Sequence, residues 1–227
     1  MPLDFLDRLA HVSGRRTFLQ WTGLTIGVVA LGCSDDDDDG GLGPGAEVDL
    51  GSGDVGVLNY AYALEQLEAA FYTQVLAGAY FSGAPADEQT ILTDIMNHEV
   101  IHRDFLRAAL GTAAIADLEV DFTSVNFGDR ASVLGAARTF EDLGVAAYNG
   151  AGKLLTDPNN LLAAGKIVSV EARHASAIRD LLQPASFAAS DVVDANGLDG
   201  ALDPTAVLTA ADTYVVTTIN ASNLPTS

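Results

Sequence analysis

Apolar residues recur every three or four positions along four long stretches of this chain, which is the pattern of helices with one buried face. The four predicted helices cover residues 54–80, 86–110, 129–155 and 157–182. Asp54 and Asp157 stand where helix-capping residues are expected, and Gly111 follows the second stretch as a helix end. A fifth helix is predicted from Asp203 to about residue 218. The pattern therefore predicts an all-α fold.

A repeated set of acidic residues and histidines interrupts the apolar stripes. The second and fourth helices each carry Glu-x-x-His, and residues three apart lie on one face of a helix, where they can bind one metal ion. The first and third helices carry matching segments that begin with Glu and end with Tyr. The candidate metal ligands, in chain order, are Glu65, Glu99, His102, Glu141, Glu171 and His174.

The spacing of the four glutamates gives a separate reason to expect that they converge. In an antiparallel helical hairpin, residues equidistant from the turn lie at the same height. The midpoint of the first two glutamates is Ser82, and the midpoint of the last two is Thr156. Both midpoints fall in stretches with Gly or Pro that predict turns. We therefore expect the ligands of each hairpin to lie at one level.

This order of ligands resembles that of the ferritin-like superfamily, whose four-helix bundles hold two iron or manganese ions. The segment 64–72 is also similar to the first helix of exported ferritin-like domain proteins. The resemblance implies a bundle over about residues 54–182, with two Fe or Mn ions. It further implies that Glu99 and Glu171 bridge the ions, that Glu65 and Glu141 are terminal ligands, and that His102 and His174 each cap one ion.

The segment between the second and third helices predicts the topology of the bundle. Its 17 residues, 112–128, can reach about 55 Å when extended, whereas a helix of 25 residues is about 38 Å long. The segment can therefore return along the bundle and start the third helix parallel to the second, as in the long crossover of ferritin-like bundles. We assign residues 54–183 to the bundle and residues 184–227 to a C-terminal loop and helix packed on it.

Three further residues are expected beside the candidate site. Glu68 lies three positions after Glu65 and could add a bridging or alternative carboxylate, but the matching residue of the third helix is Gly144, so Glu68 is expected next to the ligands or at the entry to the site. Tyr72 and Tyr148 lie two turns from their glutamates, and we expect each hydroxyl to bond a ligand carboxylate. The sequence assigns no catalytic residue.

These residues allow two other interpretations. The glutamates could lie on solvated faces or pair with Arg103, Arg138 and Arg173, but four buried carboxylates without cations would be very costly. His98, Glu99 and His102 also form His-Glu-x-x-His, the motif of zinc hydrolases. That motif needs a third ligand downstream, and Ala108 stands where a histidine is expected. His98 is then a surface residue or one that contacts a ligand.

Charge and length narrow the range of partners. The chain has 227 residues, which suits one domain with a tail, and its net charge is −20. Such a chain repels nucleic acid and anionic membranes, so neither is expected as a partner. Its single cysteine excludes an internal disulfide.

The N-terminal 53 residues are expected to serve targeting rather than the fold. Within residues 1–33, Arg15 and Arg16 precede an apolar run, which resembles a twin-arginine export signal, and 30–33 resembles a lipobox ending at Cys33. Residues 34–53 are rich in Asp and Gly and predict a disordered tether. The resemblance implies a periplasmic or cell-surface protein that touches the membrane only through a lipid on Cys33. The alternatives are cleavage near Gly32 without lipidation and retention of the segment as an anchor.

The activity implied by the resemblance is oxidation of Fe²⁺ with O₂ or peroxide. The alternative is a non-enzymatic envelope protein, related to stress or desiccation, in which any metal only stabilises the bundle. The sequence is compatible with a homodimer.

Overall fold

The bundle contains four long helices arranged as two hairpins. The computed structural model describes residues 47–226. The helices of the bundle are α1 (Gly53–Ala77), α3 (Ala86–Leu110), α4 (Arg130–Gly152) and α5 (Pro158–Leu182), with a short α2 (Ala79–Gly83) in the first turn. Helix α6 (Pro204–Ala211) and two strands, β1 (Glu47–Asp49) and β2 (Thr218–Asn220), complete the fold. The prediction of an all-α bundle with an additional helix is confirmed.

Side-chain contacts fix the directions of the four helices. Tyr72 of α1 bonds Glu141 of α4, whereas Tyr148 of α4 bonds Glu65 of α1. Residue numbers therefore rise along α1 in the direction in which they fall along α4, so these two helices are antiparallel. Because α1 is also antiparallel to α3, its partner in the hairpin, α4 runs parallel to α3. This is the arrangement that the long crossover was predicted to produce.

The crossover is fastened along α1 by two amide side chains. Asn59 donates to the carbonyl of Ala113 at 2.9 Å, and its oxygen accepts from the Ile115 amide at 3.0 Å. Two turns later, the oxygen of Gln66 accepts from the Leu118 amide at 2.7 Å. The crossover then inserts Phe122 into the core, where its ring centroid lies 5.7 Å from that of Phe71 and 6.1 Å from that of Phe140.

Several helix ends differ from the sequence expectation, with identifiable causes. Helix α1 ends at Ala77 rather than about residue 80, because the crossover backbone packs against Gly78, where a Cβ would lie 2.7 Å from the Phe127 carbonyl. Asp54 is not the N-cap, which is Ser52. Asp54 instead accepts hydrogen bonds from the amides of Thr156 and Asp157 and so joins α1 to the start of α5.

The two ends of the described chain were predicted incorrectly. The fifth helix stops at Ala211, well before residue 218, because the β-branched run 215–219 favours extended backbone. Strand β2 pairs in parallel with β1, which lies inside the segment 34–53 predicted as a tether. Val48 and Leu50 are buried, so the tether prediction is wrong from Glu47 onward. The remainder of the tether segment lies outside the described residues, as do residues 1–33, with the predicted export motif and Cys33.

The C-terminal loop lies directly against α4. The Leu202 amide donates to the Ala146 carbonyl at 2.9 Å, and a Cβ at Gly150 would collide with the backbone of Leu202. Arg179 of α5, which is buried, bonds Asp142 of α4 at 2.7 Å and Asp191 of the loop at 3.1 Å. Among residues 47–226, no helix is both long and apolar enough to cross a membrane.

Candidate metal centre

Each of the four long helices contributes one glutamate to the middle of the bundle. The side chains of these glutamates are fully buried, at 0 % exposure: Glu65, Glu99, Glu141 and Glu171. They come together because the apolar stripe of each helix turns its central residue toward the common axis, and because each hairpin is nearly symmetric about its turn. The structure thus brings together the four glutamates that the sequence singled out.

The two histidines complete two groups of ligand atoms. His102 Nδ1 lies 2.8 Å from Glu171 Oε1, 3.4 Å from Glu65 Oε2 and 3.6 Å from Glu99 Oε2. In the second group, His174 Nδ1 lies 2.7 Å from Glu99 Oε1, 3.5 Å from Glu141 Oε2 and 3.6 Å from Glu171 Oε2. Each group could hold one ion, since its ligand atoms all lie within 4.8 Å of one another.

Glu99 and Glu171 belong to both groups. Each directs one oxygen toward His102 and the other toward His174. Glu65 approaches only His102 in this way, and Glu141 approaches only His174. Two carboxylates are thus shared between the groups, and each group has one further carboxylate of its own. Two bridging and two terminal ligands require this arrangement.

The atoms that face the centre lack hydrogen-bond partners, which is what a cation site requires. Both oxygens of Glu99 and Glu171, one oxygen each of Glu65 and Glu141, and both histidine Nδ1 atoms are buried without a partner of acceptable geometry. Glu88, a buried carboxylate elsewhere, shows the contrast, since it is paired with Arg130 at 2.7 Å and bonded by Tyr80. Unpaired buried carboxylates are costly. The six residues therefore fit a pair of cations.

The arginines that might have neutralised the site are engaged elsewhere. Arg103 pairs with Asp104 at 2.8 Å, and Arg138 pairs with Asp191 at 3.1 Å. The interpretation in which these arginines neutralise the glutamates is therefore wrong for both.

Two tyrosines hold the terminal carboxylates from the opposite hairpin. Tyr72 donates to Glu141 Oε1 at 2.5 Å, and Tyr148 donates to Glu65 Oε1 at 2.5 Å. Each bond occupies the oxygen that does not face a histidine and leaves the other free for an ion. The tyrosines therefore orient the carboxylates, and they do so across the two hairpins rather than within one.

Glu68 brings a fifth carboxylate into the same interior. It is 3 % exposed, and its Oε2 has no hydrogen-bond partner. Its Oε1 lies 2.9 Å from the position that a Cβ of residue 144 would occupy. The matching position on α4 is a glycine because the Glu68 side chain occupies the space that a side chain at residue 144 would need. Glu68 lies outside both groups of ligand atoms.

Burial and mutual repulsion shift the pKa values of these groups. Burial, followed by the charge of Glu171, raises the pKa of Glu65 and raises that of Glu99 well above its ordinary value. Burial also raises the pKa of Glu141 to about 7. Burial alone would lower the pKa of His102 and His174, but their carboxylate neighbours raise both to about 12. Protons thus supply part of the positive charge that the carboxylates require, and cations can replace them.

His98 contacts a ligand but does not belong to either group. Its Nδ1 lies 2.9 Å from Nε2 of His174, on the side of that ring away from the carboxylates. His98 and His102 therefore do not converge on a common point, as the zinc-hydrolase motif would require. Among residues 47–226, neither group of candidate ligands includes His98. Sequence reasoning missed the contact with His174 because it joins residues of two different hairpins.

The donor set favours particular metals. Each group offers carboxylate oxygens and one imidazole nitrogen, and no thiolate, which suits Fe or Mn better than soft metals. Four protein atoms per group leave positions open on an ion that prefers six ligands, so exogenous molecules could bind there.

Fold and site together define a class of protein: a four-helix bundle with a carboxylate and histidine centre inside it. The comparison with known families agrees, since residues 53–184 match the ferritin-like domain. This match covers more than half of the chain, and the chain therefore belongs to the ferritin-like domain family. No curated protein shows a significant match to it.

Proposed function

We propose that this protein holds two iron or manganese ions at the candidate centre and oxidises Fe²⁺ with O₂ or peroxide. The observation that carries the proposal is the convergence of unpartnered, fully buried ligand atoms in two groups that share Glu99 and Glu171. When bound, the metal pair would pass one electron from each Fe²⁺ to O₂ or peroxide, and the protein would supply the ligands and the buried surroundings.

The residues of the chain have separate parts in this proposal. Glu99 and Glu171 would bridge the ions, because each presents one oxygen toward His102 and the other toward His174. Glu65 and Glu141 bind terminally and are held by the two tyrosines. The apolar interior excludes water, which strengthens each electrostatic contact within the centre.

Metal content and an oxidation assay on the purified protein test the proposal together. We expect about two Fe or Mn per chain and oxidation of Fe²⁺ when O₂ or peroxide is added. The matched variant is Glu99→Ala/Glu171→Ala, which should lose both the metal and the activity. Stoichiometric metal without turnover would favour the non-enzymatic envelope protein, and a folded wild type that binds no metal would refute both.

We propose in addition that the protein is exported by the twin-arginine route and anchored through a lipid on Cys33, in the periplasm or at the cell surface. The proposal is supported by the sequence of residues 1–33, which lie outside the described residues. Replacing Arg15 and Arg16 with lysines should retain the protein in the cytoplasm. Cys33→Ser should abolish labelling by a radioactive fatty acid and release the exported protein from the membrane fraction.

A further inference from the structure

The two metal positions of the proposed centre differ in what lies behind their histidines. We infer that His98 is a positioning residue that holds the ring of His174 and makes the position formed by His174 and Glu141 the tighter of the two. The inference rests on the proposed function, because it concerns the same two metal positions.

The geometry of the two rings is that of an in-plane hydrogen bond. His98 Nδ1 and His174 Nε2 are 2.9 Å apart, and the ring planes differ by only 9°. The ring centroids are 5.1 Å apart, close to the sum of the N···N distance and the two ring radii. The nitrogens therefore lie on the line between the rings, and the rings meet edge to edge rather than face to face.

The direction of this hydrogen bond follows from the other nitrogen of His174. Nδ1 of His174 faces the carboxylates and lacks a hydrogen-bond partner, so it is the atom available to a metal ion. A neutral imidazole that binds metal through Nδ1 carries its proton on Nε2. His174 therefore donates from Nε2 to Nδ1 of His98. A partner at this second nitrogen fixes both the tautomer and the orientation of a metal-binding ring.

The other half of the centre lacks this support. His98 directly precedes Glu99, and the residue that directly precedes Glu171 in the matching motif is Val170. The side chain of Val170 has no atom that could accept a hydrogen bond from His102. The near symmetry of the two hairpins is therefore broken at this point, and the two positions should bind metal with different affinities.

Titration of the chelator-treated protein with Mn²⁺, followed by calorimetry, tests the inference. We expect two binding steps of unequal affinity in the wild type. His98→Leu should weaken the tighter step by about 10–100-fold, the usual effect of removing such a partner, and leave the weaker step unchanged. His98→Asn keeps an acceptor near the position of Nδ1 and should restore the tighter step. Val170→Ala, the matched control, should change neither step.

A second measurement separates this inference from the proposed function. In ¹⁵N NMR spectra of the chelator-treated protein, His98 should be protonated on Nε2 and bare at Nδ1. A proton on Nδ1 would overturn the inference, as would unchanged Mn²⁺ binding by His98→Leu. If the wild type binds neither Mn²⁺ nor Fe²⁺, the proposed function fails, and the tautomer of His98 still decides whether this residue holds His174.

Discussion

Replacing Glu99, which we propose bridges the two ions, should reverse the order of stability between wild type and variant when metal is added. The variant is Glu99→Gln, which keeps the shape of the side chain but removes its charge. Both oxygens of Glu99 are buried without a hydrogen bond of acceptable geometry, and burial raises the pKa of this carboxyl well above its ordinary value, so folding near neutral pH must bury a charge or take up a proton. The amide can donate to neighbouring carboxylates, so the substitution relieves an unsatisfied group instead of opening a cavity.

Two opposing effects on the free energy of unfolding decide the outcome, namely the cost of the buried carboxyl without metal and the gain from bound metal. An unsatisfied buried polar group costs about 1–3 kcal/mol, so in chelator the variant should have the larger free energy of unfolding by about that amount. For a domain of this size, each kcal/mol raises the melting temperature by about 2–4 °C. An ion at about a thousand times its dissociation constant adds about 4 kcal/mol to the wild type. The variant lacks a bridging ligand and should lose most of this gain.

The assay is thermal unfolding of both proteins, first with chelator and then with Mn²⁺. Glu119→Gln is the control, because Glu119 is exposed on the crossover and should behave as wild type in both conditions. A variant that is less stable than wild type in chelator would mean that Glu99 supports the fold itself. A variant that gains as much stability from Mn²⁺ as the wild type would show that Glu99 is not a ligand.

Three further predictions concern the surroundings of the centre. Tyr72→Phe and Tyr148→Phe should each lower the free energy of unfolding by about 1–3 kcal/mol in denaturant titrations, since each removes one hydrogen bond to a carboxylate. In chelator, the melting temperature should fall from pH 5 to pH 8, because Glu141, with its pKa raised to about 7, and His102 and His174, with pKa values raised to about 12, keep protons that the unfolded chain has lost. Glu141→Gln should make this fall smaller below pH 7, and a rise would contradict the prediction. Gly144→Ala should lower the free energy of unfolding when it is introduced into the wild type, but not when it is introduced into the Glu68→Ala variant. The reason is that the added Cβ would closely approach only the Glu68 carboxylate.

The sequence predicted the centre better than it predicted the ends of the fold. The glutamates and histidines were identifiable because their spacing repeats, and because a helix converts spacing into a shared face. The sequence could not show why residue 144 is a glycine, since the space beside it is filled by the Glu68 side chain of another helix. The same holds for His98, whose partner lies in the other hairpin. Strands β1 and β2 were missed because each has only three residues and forms only with its distant partner.

The pairing of β1 with β2 has a consequence for the order in which the molecule is completed. Hydrogen-bonded partners in the two strands, such as Asn220 and Glu47, are 173 residues apart in the chain. The first strand therefore cannot pair until residues 218–220 have been synthesised. The bundle can assemble earlier, but β1, which lies just before α1, gains its strand partner only after these residues have been made. A chain interrupted before residue 218 would keep all six candidate ligands but would leave β1 without its partner strand.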